Sequence, residues 1–233
     1  MTRSSGLGLG VGLAALLAVG CGDPLAGLDY HGDPLATVQG LVRLGSTPAP
    51  AHALYVVVGW RAEATPDFWT GEVVNVSAGF PASYTLDLLR PPPLEALSVD
   101  PETGGRLGFA FVALMEDVNG NGALDVDTSS RGLPAGPDRF RGGAETLMLA
   151  YAADPFPAQS KIGQALGALA PGFHLMQADE TFQCTWDDAR NDWLCPNART
   201  EVTEVPFTTA VDLKVIEQPS EWSPVHAPDW LFL

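Results

Sequence analysis

Hydrophobic residues recur at every second position in several stretches of the chain. Val38, Val42 and Leu44 share one parity. Leu54, Val56, Val58 and Trp60 do the same, although Tyr55 and Val57 make the second face apolar too. Tyr84, Leu86 and Leu88 alternate with Ser83, Thr85 and Asp87, and Leu107, Phe109, Phe111, Ala113 and Met115 form a further stripe. The cleanest alternation runs Val205, Phe207, Thr209, Val211, Leu213, Val215, with Thr208, Asp212 and Lys214 opposite. A period of two is the signature of a half-buried strand. Turn chemistry separates the runs at Thr47-Pro48, Pro91-Pro92-Pro93, Gly104-Gly105 and Pro134-Ala135-Gly136. Only Ile162, Ala165, Leu166 and Leu169 fit helical spacing, in a segment expected to stop at Pro171-Gly172. Many short strands without a long helix predict an all-β fold: an antiparallel β-sandwich with long loops and at most one or two short helices. Residues 126–143 are polar and rich in Gly and Pro, which predicts a long loop that could bind a partner or simply cover the surface.

Composition narrows the class. The 233 residues suffice for a buried core, and 46% hydrophobic content argues against a disordered chain. Twelve Lys+Arg against 28 Asp+Glu give a net charge of −16, which excludes the concentrated positive patch that a nucleic-acid partner requires. With 25 Gly and 20 Pro, the chain favours turns and short strands.

The N-terminus changes the picture further. Arg3 precedes an uncharged, Gly-rich apolar run from Gly6 to Val19, long enough for a signal h-region and too short to span a bilayer. Ala18-Val19-Gly20-Cys21 resembles the lipobox of bacterial lipoproteins, with Ala18 standing where that family usually has Leu. The resemblance implies cleavage before Cys21 and lipidation of that cysteine. It implies a partner, the membrane, reached through the lipid anchor, in a bacterial cell envelope and at the outer membrane on its periplasmic or surface face. The competing reading is an ordinary cleaved signal with an incidental cysteine. Residues 1–20 thus read as a lipoprotein signal peptide, 21–34 as the lipidated Cys and a flexible tether with two Asp-Pro pairs, and 35–233 as a single β-sandwich domain.

The most specific chemistry is Asp117-Val-Asn119-Gly-Asn121-Gly122-Ala123-Leu-Asp125. Side-chain oxygens recur at alternate positions with Gly122 at the sixth, as in the leading part of an EF-hand calcium loop. A tight turn aims such side chains inward around a hard cation. The expected calcium ligands are Asp117, Asn119, Asn121, the Ala123 backbone carbonyl and Asp125, with Asp127 as a candidate to complete the shell. Thr128 stands where an EF-hand has its bidentate Glu, and a strand rather than a helix leads in. The loop therefore resembles the helix-less calcium loops of extracellular β-domains, which implies a structural ion. The alternative is an Asn-Gly turn whose side chains cap their own backbone amides.

Cys184 and Cys195 flank a segment symmetric about Ala189-Arg190, so a hairpin sets Cys184 opposite Cys195 and Trp186 opposite Trp193. In an oxidising compartment this predicts a disulfide. The two tryptophans read as a packed cross-strand pair or as a carbohydrate-stacking platform.

Nucleophile elbow, HExxH, P-loop and Cys/His dyad patterns are missing from the sequence, and His31, His52, His174 and His226 are scattered as solitary surface or strand-end residues. The phrases Phe80-Pro81-Ala-Ser-Tyr84-Thr-Leu86-Asp-Leu88, GFAFVALMEDVNGNGALD and Pro171-Gly172-Phe173-His174-Leu175 resemble those of an uncharacterised group of lipoproteins from GC-rich Gram-negative bacteria. That resemblance implies a transthyretin-like or related β-sandwich and carries over no catalytic residue. The expectation is a non-enzymatic envelope lipoprotein stabilised by calcium and one disulfide. The alternatives are a glycan- or protein-binding module using the Trp hairpin or the 126–143 loop, and less favoured, a hydrolase.

Overall fold

The computed structural model describes residues 32–61, 68–76, 79–125, 136–178, 185–187, 192–194 and 202–217. The strands are β1 (Ala36–Arg43), β2 (Leu54–Arg61), β3 (Phe68–Val76), β4 (Ala82–Leu88), β5 (Ser98–Val99), β6 (Arg106–Glu116), β7 (Arg139–Gly143), β8 (Leu147–Ala152), β9 (Gly172–Ala178), β10 (Thr185–Asp187), β11 (Asp192–Leu194), β12 (Val202–Val205) and β13 (Leu213–Lys214). One helix, α1, covers Lys161–Leu166. A small sheet has the order β13-β1-β4, and a large sheet the order β12-β9-β8-β6-β2-β3, with β5 and β7 pairing β6 beside it. Pairing is antiparallel except between β1 and β13, which run parallel. The all-β, sandwich-like expectation therefore holds.

The large sheet is apolar on both faces, and this explains most of the departures from simple alternation. One face meets the small sheet in a core that joins Val38, Val42, Tyr84 and Leu86 to Val56, Val58, Val112, Leu114 and Leu149. At one end of its other face, Met148, Ala150, Met176 and Phe109 lie beneath a strap formed by residues 153–171, which contributes Phe156, Ile162, Leu166 and Leu169. At the other end, Val57, Ala113, Met115, Phe140 and Ile216 form a third cluster. A strand covered on both sides reads as an unbroken apolar run with no periodicity. That is why β8 (LMLAYA) carries no alternating signal, and why every residue of β6 from Val112 to Glu116 is buried.

Three expectations need correction. The stripe from Val205 to Val215 is not one strand. Pro206 cannot donate to a ladder, its carbonyl closes a turn to the Thr209 amide at 2.8 Å, and backbone bonding resumes with the Val211 amide on the Gln39 carbonyl of β1 at 2.8 Å, just ahead of β13. The parity survives the break, since Val211, Leu213 and Val215 are all buried. The polar segment 126–143 does not remain a loop to its end, because residues 139–143 form β7 against β6. There Gly142 has a φ of 125°, and a Cβ on it would stand 2.1 Å from the Lys214 carbonyl oxygen, so no larger residue fits. The helix stops at Gly167 (φ 87°), short of Pro171, and Leu169 instead pairs with Phe156 in an isolated bridge. Its start is orthodox, with the Ser160 hydroxyl accepting from the Gly163 amide at 3.0 Å.

Candidate functional site

The Asp117 loop begins where β6 ends, and two features anchor it. The Asp117 amide donates to the Ala53 carbonyl at 2.9 Å, fixing the loop entry to the start of β2. Leu124 packs against the third apolar cluster and fixes the exit. Gly120 (φ 68°) and Gly122 (φ 76°) take left-handed conformations between these anchors, as the sequence spacing requires.

The side chains then saturate the turn. Asp117 is 2% exposed, and its oxygens accept from the amides of Gly120 (2.8 Å), Asn121 (3.2 Å) and Gly122 (2.9 Å). Asn119 accepts from the Asn121 amide at 3.0 Å, and Asn121 from the Ala123 amide at 2.8 Å. The carboxamide nitrogens of both asparagines donate to one oxygen of Asp125, at 2.8 and 2.5 Å. Asn119, Asn121 and Asp125 are thus brought together, while Asp117 faces the backbone amides of the turn. Among the described residues, no three His, Cys, Asp or Glu side chains are placed to hold a metal ion. Asp127 lies outside the described residues, as do Cys21, Cys184 and Cys195.

Asp138 belongs to the loop, although the sequence reading did not include it. Its carboxylate, 3% exposed, accepts from the amides of Val118 (3.1 Å) and Asp125 (2.6 Å), clamping both ends of the turn. Its position 13 residues beyond Asp125, inside what reads as a polar loop, gave no periodic signal. Among the described residues, neither Asp117, Asp125 nor Asp138 forms an ion pair with Lys, Arg or His.

Glu116, one residue earlier, points the other way. It is 1% exposed, accepts from the amides of Ala51 (3.1 Å) and His52 (3.3 Å), and receives Arg139 at 2.8 Å, with the Arg141 guanidinium at 3.7 Å. Burial acts to raise its pKa, but the Arg139 hydrogen bond, the Arg141 charge and the His52 amide outweigh that and hold the carboxyl below its ordinary value. Glu116, Asp138 and Arg139 also line a cleft of about 780 Å³ with Pro50, His52 and Val118. Both of the cleft's buried acids are engaged in these structural contacts.

The hairpin register is as the symmetry requires: Trp186 pairs with Trp193 and Asp187 with Asp192 along the backbone. His174 departs from expectation. It is no solitary strand-end residue but lies buried on β9, 6% exposed, between Glu204 and the Ala170 carbonyl. His52 is exposed beside β2, and His31 and His226 lie outside the described residues.

No family model, curated protein or solved structure matches the chain. The class of the protein therefore rests on its own fold and site. Among the described residues, no helix is long and apolar enough to cross a membrane.

Proposed function

We propose that the chain is a non-enzymatic lipoprotein of the bacterial cell envelope, a β-sandwich tethered through Cys21 and stabilised by a calcium ion in the Asp117–Asp125 loop. The observation that carries the anchor is Ala18-Val19-Gly20-Cys21 at the end of an apolar leader, followed by a tether that reaches β1 within a dozen or so residues. A diacylated, N-acylated cysteine holds a protein firmly, whereas one chain alone binds marginally. Cys21→Ser should move the protein from the membrane fraction to the soluble fraction and remove the acyl mass. A variant that still sediments with the envelope would sink the anchor.

The donor chemistry of the loop fits calcium. Asp117 is a buried carboxylate whose partners are neutral amides, so its charge is solvated by dipoles and balanced by no cation among the described residues. Asp117 Oδ2 and the carboxamide oxygens of Asn119 and Asn121 each accept one amide and retain a lone pair. The donors are hard oxygens without His or Cys, the set that selects calcium over zinc or copper. Asp117, Asn119, Asn121, the Ala123 carbonyl and Asp125 would hold the ion, with Asp127 as a sixth contributor. Bound there, calcium supplies the missing positive charge and cross-links the end of β6 to residue 125. Extracellular sites of this kind hold calcium at roughly 10⁻⁴–10⁻³ M, which suits a permanent structural ion better than a sensor.

A Cys184–Cys195 bridge closing the β10–β11 hairpin completes the proposal. Mass mapping without reductant should find the linked peptide, and two free thiols in protein taken from the envelope would contradict it.

A further inference from the structure

Where β2 and β4 end and β9 begins, the two sheets enclose a cavity of about 240 Å³, with no residue of the Asp117 loop in its lining. Its floor is aromatic. Trp60 of β2 and Phe173 of β9 meet with ring centroids 6.0 Å apart, and Tyr151 of β8 braces Phe173 edge-on at 4.9 Å. Trp60 is buried and Phe173 half-buried, so Phe173 presents the accessible ring. One wall is Pro91-Pro92-Pro93, a segment of fixed φ with no backbone N–H to satisfy.

The polar side of the cavity comes from a break in β3. Val57 pairs with Val73 and Gly59 with Thr70, so Val58 alone stands opposite both Gly71 and Glu72, the two-against-one count of a β-bulge. Gly71 is required there, because a Cβ on it would stand 2.9 Å from the Trp60 indole nitrogen. Glu72 keeps the parity of Val74 and Val76, both packed into the first core cluster, so a carboxylate sits where the pattern calls for an apolar side chain. Its partner is Arg90, with Nε 3.6 Å from Oε1. At that distance the contact is an ion pair and not a hydrogen bond, which leaves lone pairs on the carboxylate and N–H groups on the guanidinium to spare. With side chains 22% and 40% exposed, Glu72 and Arg90 line the cavity and also reach solvent.

These features define a ligand. The paired charges cancel, so the cavity selects neither a cation nor an anion. A hydroxyl can donate to Glu72 and accept from Arg90, and adjacent hydroxyls on one ring can do both at once. A face of C–H groups suits the electron-rich face of an aromatic ring. The volume falls below the about 300–1,000 Å³ of clefts for drug-sized ligands, which leaves room for a single ring. We propose that the cavity is a saccharide subsite that takes one pyranose ring, packed on Phe173 beside Trp60, with neighbouring hydroxyls on Glu72 and Arg90. The bulge and the braced aromatic pair are already in place, so binding requires little ordering of the protein. The subsite stands independently of the lipid anchor and of the calcium ion.

The test is a titration of the full-length protein with the methyl pyranosides of glucose, galactose, mannose and N-acetylglucosamine. Each is taken to about 20 mM, since a ligand of about a dozen heavy atoms binds in roughly the millimolar range. The amide and indole ¹H–¹⁵N signals of Trp60, Gly71 and Phe173 should shift saturably with at least one of them. Glu72→Met and Arg90→Met keep the length of the side chains and remove their polar groups. Each should weaken that binding by about tenfold or more, as charge-assisted bonds are lost, in protein that still melts cooperatively. Phe173→Leu should weaken it as well, by removing the ring the sugar packs on. Comparing the favoured sugar as its methyl glycoside and as the terminal unit of a trisaccharide separates a free solute, for which the two bind alike, from a chain end, for which the trisaccharide binds tighter. Saturable shifts with tetramethylammonium or a triproline peptide in place of the sugars would overturn the proposal. So would signals that stay still with every sugar, or an affinity unchanged in both Glu72→Met and Arg90→Met.

Discussion

Glu116 and Asp117 are consecutive carboxylates at the end of β6, buried to nearly the same degree, and their surroundings differ in one respect. Glu116 meets two backbone amides and two guanidinium groups, from Arg139 and Arg141. Asp117 meets three backbone amides and no cation among the described residues. Both satisfy the hydrogen-bonding requirement of a buried polar group, but among the described residues only Glu116 has its charge balanced by a cation. Hydrogen bonds account for the shape of both regions, and charge separates them. The Glu116 region is complete by itself, while the Asp117 loop gathers the carboxylates of Asp125 and Asp138 around a turn with no positive partner among the described residues. A divalent cation would make the second region resemble the first.

The comparison can be broken from the Glu116 side with the largest effect. Glu116→Ala should lower stability by about 3–5 kcal/mol, because it removes the buried acceptor shared by Arg139, the amides of Ala51 and His52 and the nearby Arg141 charge, and calcium should not restore the loss. A loss below about 1 kcal/mol in urea unfolding would show that Glu116 is not the internally balanced half of the pair. The same carboxyl sets an acid limit. Its folded pKa lies below the ordinary value of 4.5, so its contribution is present above that value and disappears as pH falls through the lower folded one. Glu116→Gln should flatten that acid limb in a pH series of melting temperatures.

From the Asp117 side, the calcium response is the next largest effect. A ligand bound only by the folded state stabilises by about 2.7 kcal/mol at a hundredfold excess over its dissociation constant. Asp125→Ala is the sharpest probe, since in chelator the contacts its carboxylate forfeits among the described residues are the two from the asparagine carboxamides, about 1 kcal/mol, while it should abolish the response to calcium. Asp117→Ala is a poorer probe than the sequence alone suggests, because that carboxylate also holds three amides of the turn; Asp117→Asn keeps an acceptor and removes the charge. Asp138→Asn comes last, at about 1–2 kcal/mol in chelator, for the amide of Val118 or Asp125 left facing a nitrogen. It should weaken calcium binding as well, by loosening both ends of the turn. Melting curves with and without chelator separate these outcomes.

Strands buried on one face were legible, as Tyr84, Leu86 and Leu88 show, because solvent on the other side imposes alternation. Strand β8 was not, since a sheet covered on both sides has no polar face to alternate with, and β7 was hidden because Arg139, Arg141, Gly142 and Gly143 read as a continuation of the polar loop. The loop from Asp117 to Asp125 was legible because its geometry is local: each side chain caps an amide two to five residues on. Asp138 was not, for its amides belong to Val118 and Asp125, across a long segment of chain. His174 was missed for the same reason, with Glu204 thirty residues away on β12. Local chemistry leaves a spacing in the sequence, and contacts made across the sheet leave none.

The most direct measurement of the central claim is a calcium titration of the full-length protein, freed of metal by chelator, followed by calorimetry and by melting temperature. The account predicts a saturable heat with a dissociation constant of roughly 10⁻⁴–10⁻³ M, and a melting temperature that rises with millimolar calcium in the wild type but not in Asp125→Ala. A melting temperature that stays unchanged between chelator and millimolar calcium, with no heat on titration, would contradict it and leave the loop a turn that caps only its own backbone.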